Sequence, residues 1–323
     1  MAHRPAPPNA AYADQVVHFP DPVRAARHPA GVRVDRYGYP DFTPYARAAA
    51  EIADPPEGFG VDELRLTDYI SANAALHTAG HELWTGLPRV ATPHGWTWHH
   101  VAGTRRMQLI PTEVKALLRH HGGLATATVD QHKRGTRPLP QTRPAHFTLP
   151  GGPAVTEEQL LDTEEHLGHR LPGPYRAFLK AAGGAAPAGC ALAPELGLLL
   201  DQPFLTVRGE AATDDLVYVN KCLRDHLTKD HLGIAFAQGG LLALKVRGEA
   251  AGSVWFCPYD DARDHDGLPL QDRVRDLLLP CGEDFDAFLR HLAGDPPELE
   301  TVANLMVDGG FAHAVPVEGQ RQW

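Results

Sequence analysis

The sharpest alternation in the chain runs through Trp96-Thr97-Trp98-His99-His100. In an extended strand Trp96, Trp98 and His100 share one face, and Thr97 and His99 the other. Val101 to Arg105 reads as a turn and Arg106 to Ile110 as the returning strand. Pro111-Thr112-Glu113 then opens a helix. Thr112 caps it, Glu113 complements the positive end of its dipole, Val114, Leu117 and Leu118 form its apolar stripe, and Gly122-Gly123 stops it. A strand, strand, helix order with paired histidines on the first strand points to a metal site.

Upstream, Val32 and Val34 alternate with charged neighbours as in a short edge strand, followed by the turn chemistry of Tyr37-Gly38-Tyr39-Pro40. Residues 44–52 read equally as a helical turn or a short strand. Val61 to Leu83 carries apolar residues at three- and four-residue steps and reads as a helix, interrupted at Gly80. Residues 1–30, rich in Pro, Ala and His, read as a loose arm. From Asp130 to Gly152 the prolines and the basic group Lys133-Arg134-Gly135-Thr136-Arg137 read as a linker, which places a boundary near Pro150.

Thr156 and Gln159 have capping-box spacing, opening a helix through Leu160, Leu161, Glu164 and Leu167 to Gly168. A second helix runs from Leu171-Pro172 through Tyr175, Phe178 and Leu179 to Gly183-Gly184. Strand-like runs follow at Pro203–Val207, Ile234–Phe236, Leu241–Val246 and Ser253–Phe256. Phe285, Phe288, Leu289 and Leu292 mark a late helix, and Val302–Val307 a last one. The whole reads as α+β in two domains, residues 31–150 and 151–323, the second with a mainly antiparallel sheet.

Composition adds three constraints. No apolar run approaches the roughly 20 residues that span a bilayer, and the N-terminus lacks a secretory apolar stretch. The expected location is therefore cytoplasmic, without a membrane partner, any export depending on a specialised system. The cysteines, Cys190, Cys222, Cys257 and Cys281, form no CxxC pair and read as buried thiols. Charge is split: 16 basic against 13 acidic residues in 1–150, and 14 against 27 in the remainder. A slightly basic half joined to an acidic half fits a nucleic-acid enzyme tethered to an acidic partner, or two unrelated domains.

The first half, over about residues 32–124, resembles the Trp-His-His branch of the HNH polymorphic-toxin nucleases, whose core is a ββα-metal fold. The resemblance rests on Gly38–Tyr45, Arg65–Asn73, Thr92–His100, Met107–Pro111 and His120–Gly123. It implies a metal-dependent endonuclease acting on DNA or RNA with magnesium, manganese, zinc or nickel. It makes His99 a metal ligand, His100 the general base, His120 a second ligand and Gln108 the residue that ties the hairpin together. Trp98, with Trp96, reads as core, and Asp68 and Asn73 as fold-stabilising. His77, His81 and His94 read as bystanders, and His121 as an exposed histidine or a substitute ligand.

One position departs from the family pattern: Lys115 stands where another ligand histidine is usual. A protonated ammonium has no lone pair to donate. Residues 115 and 120 also stand about 140° apart on a regular helix, so a shared ion requires its end to unwind. Lys115 and Arg119, one turn apart, offer a phosphate grip instead.

The second half, over about residues 153–293, resembles the SUKH immunity superfamily through Thr156–Leu160, Glu164–Leu179, Gly183-Gly184, Gly252–Phe256 and Phe285–Leu289. That implies protein binding, the partner being a cognate nuclease toxin or the chain's own nuclease half. Its acidic residues, among them Asp214-Asp215, Asp260-Asp261 and Asp264, suit masking a basic groove. The alternative reading is a non-enzymatic immunity or interaction protein carrying a nuclease-like domain degenerate at Lys115.

Overall fold

The computed structural model describes residues 6–55, 57–129, 147–148, 154–184, 186–187, 191–193, 198–209, 211–223, 225–292 and 311–317. The basic group Lys133 to Arg137, the boundary expected near Pro150, Cys190 and the helix expected at Val302–Val307 lie outside these residues.

In chain order the first half comprises β1 (Val16–Val17), α1 (Pro22–Arg27), β2 (Val32–Val34), β3 (Pro40–Asp41), β4 (Ala48–Ile52), α2 (Val61–Thr78), β5 (Trp96–His100), β6 (Arg106–Pro111), α3 (Thr112–Lys115) and α4 (Gly123–Thr126). The short strand β7 (Phe147–Thr148) precedes α5 (Glu157–Leu167), α6 (Gly173–Ala182), β8 (Ala186–Pro187), β9 (Ala191–Ala193), β10 (Leu198–Leu200) and α7 (Leu216–Cys222). Then come β11 (His231–Ala237), β12 (Gly240–Lys245), β13 (Val254–Pro258), α8 (Leu270–Leu277), β14 (Leu279–Gly282), α9 (Phe285–His291) and β15 (Ala312–Val315).

The architecture is α+β. The first half is built on a four-stranded antiparallel sheet in the order β15-β4-β6-β5, the second on an antiparallel sheet in the order β11-β12-β13-β14. Helix α2 packs its buried Leu66, Tyr69, Ile70 and Leu76 in one cluster with Trp98, Met107 and Leu109 of the hairpin. The ambiguous stretch 44–52 resolves into a short 3-10 turn and β4. In the second half Leu160, Tyr175 and Leu179 from α5 and α6 join Phe204, Phe285, Phe288 and the inner residues of β11–β13. The Thr156/Gln159 box caps α5, and Gly168 and Gly183 end α5 and α6 in the left-handed conformation, which glycine adopts without steric penalty.

Four expectations are corrected. Residues 6–30 are packed, not a loose arm: Asp21 caps α1, Phe19 and Arg24 are buried, and the carboxylate of Asp21 accepts a 2.6 Å bond from the Tyr218 hydroxyl. The partners that anchor this segment are distant in sequence, so composition alone conceals them. The strand expected at Pro203–Val207 is an irregular run held by two isolated bridges, Phe204 to Ala235 and Thr206 to Asp215. The helix expected to run to Gly122 stops at Lys115, where the Leu117 amide bonds back to the Val114 carbonyl and closes a tighter turn. Finally, β15, from the far end of the chain, pairs with β4, so the first half's sheet draws a strand from beyond the expected boundary.

Stability has a defined pH dependence. His226 is buried with both ring nitrogens unpartnered, and burial, reinforced by the Arg273 charge, holds its pKa well below the usual value. Burial, with Lys245 nearby, takes His231 down to about 4. For groups whose folded pKa is depressed, stability is complete above the unfolded value near 6.5 and is lost as pH falls toward the folded value. Thermal melts should therefore drop by several degrees between pH 7 and pH 4.5, and His226→Leu should flatten that slope.

Candidate active site

Strand alternation places His99 on the face of the hairpin that carries Gln108, its cross-strand partner. Gln108 donates from Nε2 to Thr43 Oγ1 at 3.1 Å, so it ties the hairpin to the segment after β3. Tyr37, Tyr39, Asp41, His99, Gln108 and His121 line an open cleft over this face.

His120 stands beside His99, with ring centroids 5.0 Å apart at 62°. The Phe42 ring packs edge-on against both, at 4.8 Å and 5.5 Å. The unwinding of the chain after Lys115 brings His120 here. Its Nδ1 lies 3.1 Å from the Leu118 carbonyl and donates its hydrogen there, which leaves the lone pair on Nε2. That Nε2 and His99 Nδ1 are both buried without a hydrogen-bond partner. Burial lowers the pKa of each, His120 to about 4, and the charge of Lys115 adds to it, so both rings are neutral at pH 7. Two neutral, buried, orphaned imidazole nitrogens are a donor set that fits a divalent cation. Among the described residues no group of three or more His, Cys, Asp or Glu side chains converges into a larger set.

The remaining expected site residues are placed elsewhere. His100 lies on the opposite face of β5, 3% exposed, with Nε2 3.1 Å from Asp68 Oδ2. Asp68 Oδ1 also accepts from Arg105 at 2.7 Å. The alternation that turns His99 into the cleft turns His100 out of it, so the imidazole expected as general base does not face the cleft. Lys115 is 1% exposed, its Nζ donates to the Trp98 carbonyl, and burial lowers its pKa to about 8. Arg119 pairs with Asp264 at 3.1 Å. The expected phosphate grip is therefore absent from the cleft: one member is interior and the other is engaged across the chain. Trp98 is core, fully buried, with Nε1 donating to Asn73 Oδ1 at 2.8 Å. Asn73 in turn holds the Val90 carbonyl, the fold-stabilising role expected of it.

Three participants were not legible as such. His121, read as an exposed histidine or a substitute ligand, is 5% exposed and lines the cleft. Its Nε2 lies 2.6 Å from the Asp264 carbonyl, so it donates there and carries its lone pair on Nδ1. Asp260 and Asp264, read as part of an acidic surface, are 3% and 1% exposed. Asp260 accepts from the amides of Gly122, Leu124 and Ala125 at 2.7, 3.0 and 3.0 Å. The only signal available in sequence was the density of aspartates between 260 and 264.

The second half also covers the open edge of β5. The Trp98 amide donates to Gln238 Oε1 at 3.3 Å, the Gly95 amide to Gln202 Oε1 at 3.0 Å, and the Thr92 amide to Asp201 at 2.9 Å.

Comparison with known families agrees with this division. Residues 88–130 match the WHH family, a nuclease of the HNH/ENDO VII superfamily with conserved WHH. Residues 154–291 match the SMI1/KNR4 family (SUKH-1). No curated protein matches the chain.

The buried chain His100–Asp68–Arg105 gives a direct prediction. Asp68→Ala leaves an imidazole and a guanidinium without their shared carboxylate, and should destabilise the fold by about 3 kcal/mol in denaturant titrations. Asp68→Asn, which retains one acceptor oxygen, should lose less.

Proposed function

For a chain that carries a WHH-type nuclease region followed by a SUKH-1 region, we propose a toxin-type, metal-dependent endonuclease joined to an immunity-type protein-binding half. The observation that carries this reading is the pair of orphaned nitrogens, His99 Nδ1 and His120 Nε2, with His99 forming part of the wall of an open cleft. A divalent ion held there would polarise a scissile phosphodiester and stabilise the leaving oxygen. Imidazole donors favour zinc or nickel over magnesium, which prefers oxygen ligands.

The chain's own groups supply the remaining parts. His121, its tautomer fixed by the Asp264 carbonyl, presents Nδ1 as a base for the attacking water, the role that the resemblance gives to His100. Tyr37 and Tyr39 offer the cleft aromatic faces for a base or sugar. The second half's partner is a nuclease, either this chain's own first half or a cognate toxin. Among the described residues no helix is long and apolar enough to cross a membrane. We place the protein in the cytoplasm, any export being by a specialised system.

A second reading is favoured by Lys115. Its buried ammonium in place of a ligand, together with His100 bonded to Asp68 and Arg119 to Asp264, fits a non-enzymatic interaction protein that retains a degenerate nuclease fold.

Cleavage assays on the full-length protein decide between them. Plasmid DNA and total RNA would be offered with zinc, nickel, manganese or magnesium. We expect metal-dependent cleavage that falls by roughly 10²–10⁴-fold in His121→Ala and is abolished in His99→Ala and His120→Ala. Absence of cleavage with every metal, from protein that melts cooperatively, would leave the non-enzymatic reading or inhibition by the second half, and metal binding lost in His99→Ala and His120→Ala would favour the latter. Lys115→His should tighten metal binding, measured by calorimetry, because it restores a third imidazole beside His99.

A further inference from the structure

We infer that Asp260, in the SUKH-1 region, is a positioning residue for His120, so that the two-imidazole centre is built jointly by both halves of the chain. This rests on the metal-site reading above. In a helix-borne site the ligand is oriented by the helix itself. Here α3 ends at Lys115, and residue 120 lies beyond any helical hydrogen bonding. What holds it instead is the segment 259–264.

The His120 amide donates to the Tyr259 carbonyl at 3.4 Å, and His120 pairs with Asp260 as an isolated parallel bridge. Immediately downstream, Asp260 Oδ1 accepts from Gly122 and Ala125 while Oδ2 accepts from Leu124. Immediately upstream and alongside, Asp264 holds Arg119 through its carboxylate and His121 through its carbonyl. Asp264 is itself fixed by Arg273, whose Nε lies 3.1 Å away. Every residue flanking His120 from 119 to 122 is thus tied to one short segment of the second half.

The glycines show how close this fit is. A Cβ on Gly122 would come within 2.5 Å of both Asp260 Oδ2 and the His100 carbonyl. A Cβ on Gly123 would come within 2.9 Å of the His100 Cβ. The Gly122-Gly123 step is pinched between β5, which carries His99, and Asp260. Contact by contact, Asp260 takes backbone amides and leaves the nitrogens of His99 and His120 open. An inhibitor plugging the site would do the reverse.

The test uses the full-length chain as wild type, Asp260→Ala, Asp260→Asn, Gly122→Ala and His120→Ala. The first readout is cobalt(II) titration followed by visible absorption, which reports imidazole ligation. The second is the ¹⁵N-edited spectrum of the histidine rings in metal-free protein. We expect Asp260→Ala to lose at least tenfold in cobalt affinity, approaching His120→Ala, with Asp260→Asn intermediate and circular dichroism unchanged. In the metal-free spectra the His120 Nδ1–H signal should shift or exchange away in Asp260→Ala. Should Asp260→Ala fail to fold, the intermediate loss expected of Asp260→Asn, and the full loss in Gly122→Ala, carry the test. Wild-type affinity together with unshifted His120 resonances in these variants would overturn the inference. If wild type itself takes no cobalt, the metal reading fails, and the metal-free spectra alone decide whether Asp260 positions His120.

Discussion

Once α3 stops at Lys115, the amides that follow need acceptors from outside their own helix, and much of the structure depends on where they find them. A buried amide without a partner costs about 1–3 kcal/mol, and Gly122, Leu124 and Ala125 present three. A single carboxylate, Asp260, takes all of them. Charge-assisted bonds to three donors compensate for burying the anion, and Lys115 and His120 feel its charge. His120 is thereby delivered beside His99, Arg119 is turned toward Asp264, and the second half is fixed against the first.

The same logic governs the edge of the sheet. In the order β15-β4-β6-β5 the strand carrying the histidines is an edge strand, which unprotected would invite pairing with another chain. Gln238 covers its Trp98 amide, and Gln202 and Asp201 hold the residues that lead into it. The acidity of the second half has local uses. Asp215 and Asp284 cap α7 and α9, Asp261 pairs with Arg263, and Asp264 bridges Arg119 and Arg273. One of these contacts, Asp264 with Arg119, removes a cation from the nuclease region, in keeping with an immunity-type half. The others build caps and ion pairs within the fold.

Lys115 concentrates the tension between the two functional readings. Its ammonium, buried next to His99 and bonded to the Trp98 carbonyl, helps to keep both imidazoles neutral. By the resemblance to the Trp-His-His nucleases, it also stands at the position of a further ligand histidine. A centre of two imidazoles can still accept a cation whose remaining positions are filled by water or phosphate from the cleft.

Local pattern in the sequence determined much of this protein. The hairpin Trp96–Pro111, the capped helices α5 and α6, the strands around 234–245, the late helix at Phe285 and the core roles of Trp98 and Tyr175 all follow from alternation, capping spacing and glycine stops. These depend on neighbours a few residues away. That His99 and His120 belong to one centre was implied only by family resemblance, the unwinding of the helix end having been required for positions 115 and 120 to share an ion. Tertiary structure decided the rest. It ended α3 seven residues early, packed residues 6–30, added β15 to the first sheet, supplied Asp68 as the partner of His100 and placed His121 in the cleft. Apart from the end of α3, which the Leu117 to Val114 bond closes locally, each is settled by a partner 30 to 260 residues distant, such as Asp264 for His121 or Ala312 for Ile52. Hydrogen-bond demand and burial across such separations leave no periodic trace in the chain, so only the folded arrangement discloses them.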